Sequence, residues 1–221
     1  MRVCLIHGST QSPHGWDLLV HELMAWKVEV IAVDLPTDRP REGAEFFANE
    51  VARQVPRGKP PVVVAHSAAG LVLPVVATQM KVAGLIYLAA VIPTPGARFL
   101  DLVQRTPAMF QPGWVGTDPT KDPALARKFL FHDCDERTFQ WALSTVRLWA
   151  APGVMREVCP LRGMPRVPVA YISATQDRAI NPEWWERDAT ERLHVEPIRI
   201  ETGHAPYVSR PKEVARLIMG R

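Results

Sequence analysis

Six short apolar runs punctuate the chain, at 3–6, 28–33, 61–65, 84–89, 169–173 and 195–200. Several are nearly unbroken in Val, Ile, Leu and Ala rather than alternating with polar residues. Strands buried on both faces read this way. Between them the spacing changes to a helical period at 16–26, 44–55, 68–80 and 182–192, and 212–219 closes the chain as a further predicted helix. Alternating strands and helices specify a parallel sheet covered on both faces. Pro74 falls inside the stretch at 68–80. Its missing N–H and its ring predict a kink there, or a helix whose regular part begins later.

The rhythm breaks once. From 95 to 161 there is no strand candidate, only helical stretches at 123–131 and 135–149 together with Trp114, Trp141 and Trp149. An insertion of this size between two core strands predicts a helical cap over the strand ends. The division expected is a core of 1–94 and 162–221 with a cap of 95–161. Extra core helices are the alternative, because tryptophans pack interiors as readily as they line binding walls.

Composition narrows the class. The 221 residues are 47% hydrophobic and 22% charged, values of a globular chain. A net charge of +3, with no long basic run, argues against a nucleic-acid partner. Cys4, Cys134 and Cys159 are odd in number and far apart, which predicts reduced thiols and a cytoplasmic location. The start MRVCLIHG runs straight into a strand pattern, and no apolar run is long enough to span a bilayer, so neither a leader nor a membrane is expected.

Candidate chemistry sits at the strand ends. In Ala65-His66-Ser67-Ala68-Ala69 a serine follows the third strand between small residues, with alanine where such tight strand-to-helix elbows usually carry glycine. Small neighbours are needed because the turn holds the serine in strained backbone geometry, and a following helix would turn its positive end toward the site. A serine nucleophile requires a base, and the base an orienting acid. Gly203-His204 follows the last strand, and Asp177 lies just beyond the fifth. The order Ser67, Asp177, His204 is that of α/β-hydrolases and not of the chymotrypsin or subtilisin triads. Backbone N–H groups of Ser9, in His7-Gly8-Ser9-Thr10, and of Ala68 are the expected oxyanion donors. Asp34, after the second strand, is a weaker candidate for the acid. His132-Asp133-Cys134 has the residue types of a metal site, but adjacent residues rarely converge on one ion. A loop or helix start is expected there, with Asp133 or Asp135 as N-cap.

The segments CLIHGST, VIAVDLP, VVVAHSAAG, LIYLAAVIPTPG, YISATQD and the Gly-His loop together resemble the α/β-hydrolase family that includes plant salicylate-methyl-ester esterases and hydroxynitrile lyases. The resemblance covers nearly the whole length, the cap matching mainly in size. It implies an α/β-hydrolase fold with a six-stranded, mostly parallel sheet. Lyase-type members carry threonine at the position of Gly8, lysine at that of Ala205 and glutamate at that of His66, so the resemblance favours hydrolysis of small carboxylic esters over cyanide release or another non-hydrolytic use of the triad. A non-catalytic small-molecule-binding module is the remaining alternative, and it would need no ordered triad. It implies Ser67 as nucleophile, His204 as base and Asp177 as acid. The predicted substrate pocket comprises Gly8, His14, His66, Met109, Phe110, Trp141 and Trp149. No cofactor and no metal is expected, and the partner is a small-molecule ester; a homodimer is compatible with the sequence.

Overall fold

The computed structural model describes residues 1–220. Strands β1 (Arg2–Ile6), β2 (Glu29–Val33), β3 (Val62–Ser67), β4 (Gly84–Ala90), β5 (Val169–Ala174) and β6 (Ile198–Ile200) form one sheet in the order β2-β1-β3-β4-β5-β6. All its pairings are parallel. The unbroken apolar runs are explained by burial on both sides. Ile6, Val63 and Tyr87 face Phe47, Val76 and Trp185 of α2 (Ala44–Gln54), α3 (Leu73–Gln79) and α8 (Pro182–Leu193). Their alternates Leu5, Val64 and Leu88 face Leu19 of α1 (Asp17–Ala25) and Val214 of the C-terminal helix (Pro211–Ile218). Each such buried side chain contributes about 1.5–3 kcal/mol.

β6 is shorter than the run at 195–200 suggests. Pro197 cannot donate to the ladder, so pairing with β5 starts at Ile198. Pro74 acts by delaying its helix. A 3-10 turn, Ala68–Leu71, follows β3, and α3 starts at Leu73 with Pro74 in its first turn, where the missing N–H costs nothing.

The stretch between β4 and β5 holds α4 (Phe99–Arg105), α5 (Pro123–Phe129), α6 (Glu136–Thr145) and α7 (Pro152–Arg156). It has no core of its own. Phe99, Met109, Trp149 and Val154 join the interior on one side of the sheet, and Phe129, Phe131 and Phe139 the interior on the other. The helix expected at 135–149 stops at Thr145, and the chain then runs extended, Val146 bridging Gln11. Arg147 N–H donates to Thr10 O and Trp149 N–H to Ser9 O (2.7 Å). Tertiary pairing with the loop after β1 outweighs helix propensity there.

Candidate active site

β1 and β3 are neighbours although β2 lies between them in sequence, with Ile6 paired to Ala65. This switch point sets the loop after β1 beside the end of β3, where open parallel sheets build their sites. Ser67 ends β3 with φ 56° and ψ −128°. A non-glycine residue there stores about 1–3 kcal/mol of strain. Its surroundings hold it. Val91 N–H donates to Ser67 O (3.1 Å), and the β3–β4 register slips between His66 and Ser67. Ala65 and Ala69 are fully buried, and a Cβ on Gly70 would overlap the Val91 carbonyl oxygen. A Cβ on Gly8 would lie 2.8 Å from the Ser67 Cβ, so the loop after β1 presses directly on the elbow.

Ser67 Oγ lies 3.0 Å from His204 Nε2, and His204 Nδ1 lies 2.7 Å from Asp177 Oδ2. The carboxylate makes Nδ1 the protonated nitrogen, leaving the Nε2 lone pair to accept the serine proton. Asp177 Oδ1 is held by the N–H groups of Ala179 (2.7 Å) and Ile180 (3.0 Å). All three side chains are buried. Ser67 opens into a cavity of about 250 Å³ together with Ser9, Thr10 and Ala68. The remaining wall is apolar apart from Thr117 and Gly116, with Phe110, Trp114, Leu148 and Ile180 among its side chains. Trp114 also approaches the His204 ring, their centroids 5.9 Å apart.

Residues 5–217 match the family model described as the alpha/beta hydrolase family. The chain belongs to this family. Its fold is similar to that of a pyrethroid hydrolase from Sphingobium faniae JZ-2, at TM-score 0.76 and 23% identity, covering 100% of this chain and 96% of that one. It is similar also to the methylesterase MES16 from Arabidopsis, at TM-score 0.78 and 15% identity over 100% and 98% of the two chains. Polyneuridine aldehyde esterase gives TM-score 0.77 and 17% identity over 99% and 98%. No curated protein matches the chain. At these identities the likeness is one of fold, and it agrees with the resemblance carried by the HGST, AHSAA and Gly-His segments.

In this alpha/beta hydrolase the pocket differs from the one expected. Of the cap residues named from sequence, Phe110 reaches the cavity. Met109 is wholly buried beside it, its carbonyl accepting the Trp185 indole N–H (3.0 Å). Trp149 lies behind the loop after β1, edge-on to His7 and Phe47. The segment there is extended, so successive side chains point to opposite sides and Leu148 faces the cavity instead. Trp141 packs against the interior that holds Phe139 and Ala142. His14 is exposed and faces Asp17 at 3.6 Å. Phe99, Leu100 and Val103 on α4 do line the cavity; their helical spacing was the available signal. Asp34 is paired with Arg147 at the surface, and the guanidinium holds its carboxyl below the usual range. Asp135 caps α6 through the Thr138 N–H (2.8 Å), while Asp133 turns elsewhere. Among the described residues no group of His, Cys, Asp and Glu could hold a metal, and no helix is long and apolar enough to cross a membrane.

His66 lies behind the site instead of in the pocket. Its Nε2–H donates to His204 O (2.7 Å), and its Nδ1 accepts from the Tyr207 hydroxyl (3.4 Å), with Trp16 packed on Tyr207. His7 is likewise internal, accepting Leu35 N–H at Nε2 (3.1 Å) and donating from Nδ1 to Gly8 O (3.0 Å). Burial lowers the His7 pKa from 6.5 to about 4, and burial together with the His204 charge lowers that of His66 well below 6.5. Both rings are therefore neutral when folded. Below pH 6.5 the unfolded chain binds protons that the folded one refuses, so stability falls as pH drops from 6.5 toward 4. Both buried histidines contribute to this loss in the same direction. Urea unfolding should show a clearly lower midpoint at pH 5 than at pH 7; equal midpoints would contradict buried neutral rings.

Proposed function

We propose that this chain is a serine hydrolase of small, uncharged carboxylic esters that works through an acyl-enzyme. The observation that carries the reading is the continuous line from Asp177 through His204 to Ser67 Oγ, opening into a cavity with no charged side chain in its wall. The names of two similar structures, a methylesterase and an esterase, support the same bond type. Ser67 Oγ attacks the carbonyl carbon as His204 Nε2 takes its proton, while Asp177 keeps the ring oriented and stabilises its positive charge. The N–H groups of Ser9 and Ala68 hold the tetrahedral oxyanion, each such donor being worth about 3 kcal/mol in the transition state. His204 returns the proton to the leaving alcohol. It then deprotonates a water that attacks the acyl carbon, and Ser67 leaves with the proton as the acid departs. The three cysteines are all free, which supports a reducing, cytoplasmic setting.

Charge selectivity tests the substrate class. A charged group brought into this wall would lose hydration without gaining a partner. We expect kcat/KM for p-nitrophenyl butyrate to exceed that for p-nitrophenyl hemisuccinate by about a hundredfold or more. Equal values would overturn the substrate class. Cyanide release from a cyanohydrin without ester cleavage would replace hydrolysis by lyase chemistry.

A further inference from the structure

We propose that His132 and Asp133, in the turn between α5 and α6, are positioning residues that clamp the two loops carrying His204 and Asp177. The inference rests on the Ser67–His204–Asp177 reading above and assigns the inserted segment a second task besides lining the pocket.

Asp133 Oδ2 accepts the Gly203 N–H at 2.8 Å, and His132 Nε2–H donates to Gln176 O at 2.9 Å. Each loop is thus gripped one residue before its working side chain. The loops are also tied to one another, Gln176 N–H donating to Thr202 O at 2.9 Å. The approach leaves no spare room. A Cβ on Gly203 would lie 2.7 Å from Asp133 Oδ1 and 2.8 Å from His132 Nε2, so glycine at 203 is what lets the clamp close. The main chain of His204 is then held on both sides, through Gly203 by Asp133 and at its own carbonyl by His66.

The clamp is itself anchored. Arg127 pairs with Glu136 and donates to Cys134 O (3.1 Å), Cys134 N–H donates to Phe131 O (3.1 Å), and Phe131 is wholly buried. A structural role alone accounts poorly for Asp133. Its Oδ1 is buried without a hydrogen-bond partner, and Asp133 forms none of the ion pairs found among the described residues. Burying a carboxylate oxygen this way costs stability. What it gains is a charge-assisted grip on the backbone beside the base. Displacing His204 by about 1 Å can cost up to about a hundredfold in rate. Neither clamp residue lines the cavity, so substrate binding should not feel the loss.

The test is steady-state hydrolysis of p-nitrophenyl butyrate. Asp133→Ala is expected to lower kcat about 10- to 100-fold with KM within about threefold of wild type. Asp133→Asn, whose side-chain oxygen can still accept the Gly203 N–H, should restore kcat to at least about a third. His132→Ala, which frees only the second loop, should lower kcat about 3- to 10-fold and carries the test if Asp133→Ala does not fold. Asp135→Ala is the control: it removes the α6 cap from the same turn and should lower Tm without lowering kcat. The proposal is overturned if kcat of the folded clamp variants stays within twofold of wild type, if KM rises in place of the fall in kcat, or if Asp135→Ala lowers kcat equally. Full activity in Ser67→Ala would mark a different failure, that of the underlying triad reading.

Discussion

Asp177→Asn is expected to lower kcat about 10³- to 10⁴-fold while leaving KM and Tm nearly unchanged. The asparagine oxygen can keep the bonds from Ala179 and Ile180 N–H that Asp177 Oδ1 makes now, so the loop keeps its shape. The amide then turns its NH₂ toward His204 Nδ1, where the carboxylate accepts today. A donor at that position selects the tautomer with its proton on Nε2, which cannot take the proton of Ser67. The imidazolium formed during the reaction also loses its counter-charge. Asp34→Asn is the contrasting substitution. Asp34 is surface-exposed, bonded to Arg147, and 4.0 Å from a His7 nitrogen that already accepts Leu35 N–H. We expect that variant to stay within about threefold of wild-type kcat, as surface changes usually have small effects. Kinetics of the two proteins side by side decide the matter, and the reverse ranking would move the acid to Asp34.

Strand positions were legible because burial on both faces leaves continuous apolar runs, as in 61–65 and 84–89. What the runs do not contain is lateral order. That β1 lies between β2 and β3 depends on crossover packing, and it is this order that sets Ser9 beside Ser67. The register slip at the end of β3 was likewise silent, since Ala89 with φ 44° looks like any other strand alanine. Pro74 is a clearer case. Its chemistry announces a delayed helix whatever the tertiary setting.

The ordered Ser67, Asp177 and His204 could be found because each follows a strand, and parallel strands end on one side of the sheet. The pocket could not be found in the same way. The helical pattern expected at 135–149 carries Trp149 as a candidate wall residue, whereas pairing with Ser9 and Thr10 makes the stretch after Thr145 extended and turns Leu148 to the cavity. His66 sits next to the nucleophile in sequence, yet its ring points behind the site to His204 O. The His132-Asp133 pair carried no spacing signal at all. Its partners are backbone groups of Gln176 and Gly203, and long-range contacts to backbone leave no side-chain pattern to read.

Ser67→Ala is expected to lower ester hydrolysis by about a thousandfold or more with little change in Tm. Among the described residues the only side-chain hydrogen bond of Ser67 is the one to His204, and alanine keeps the Cβ that Gly8 packs against. Residual turnover would come from binding and the proposed oxyanion donors alone. The most direct measurement is peptide mass spectrometry of wild-type protein acid-quenched during turnover of p-nitrophenyl butyrate. The result expected is a butyryl group on Ser67, absent from Ser67→Ala and accumulating in the first turnover at the rate of nitrophenolate release. An acyl group on another residue, or full activity in Ser67→Ala, would contradict the assignment of Ser67 as the nucleophile.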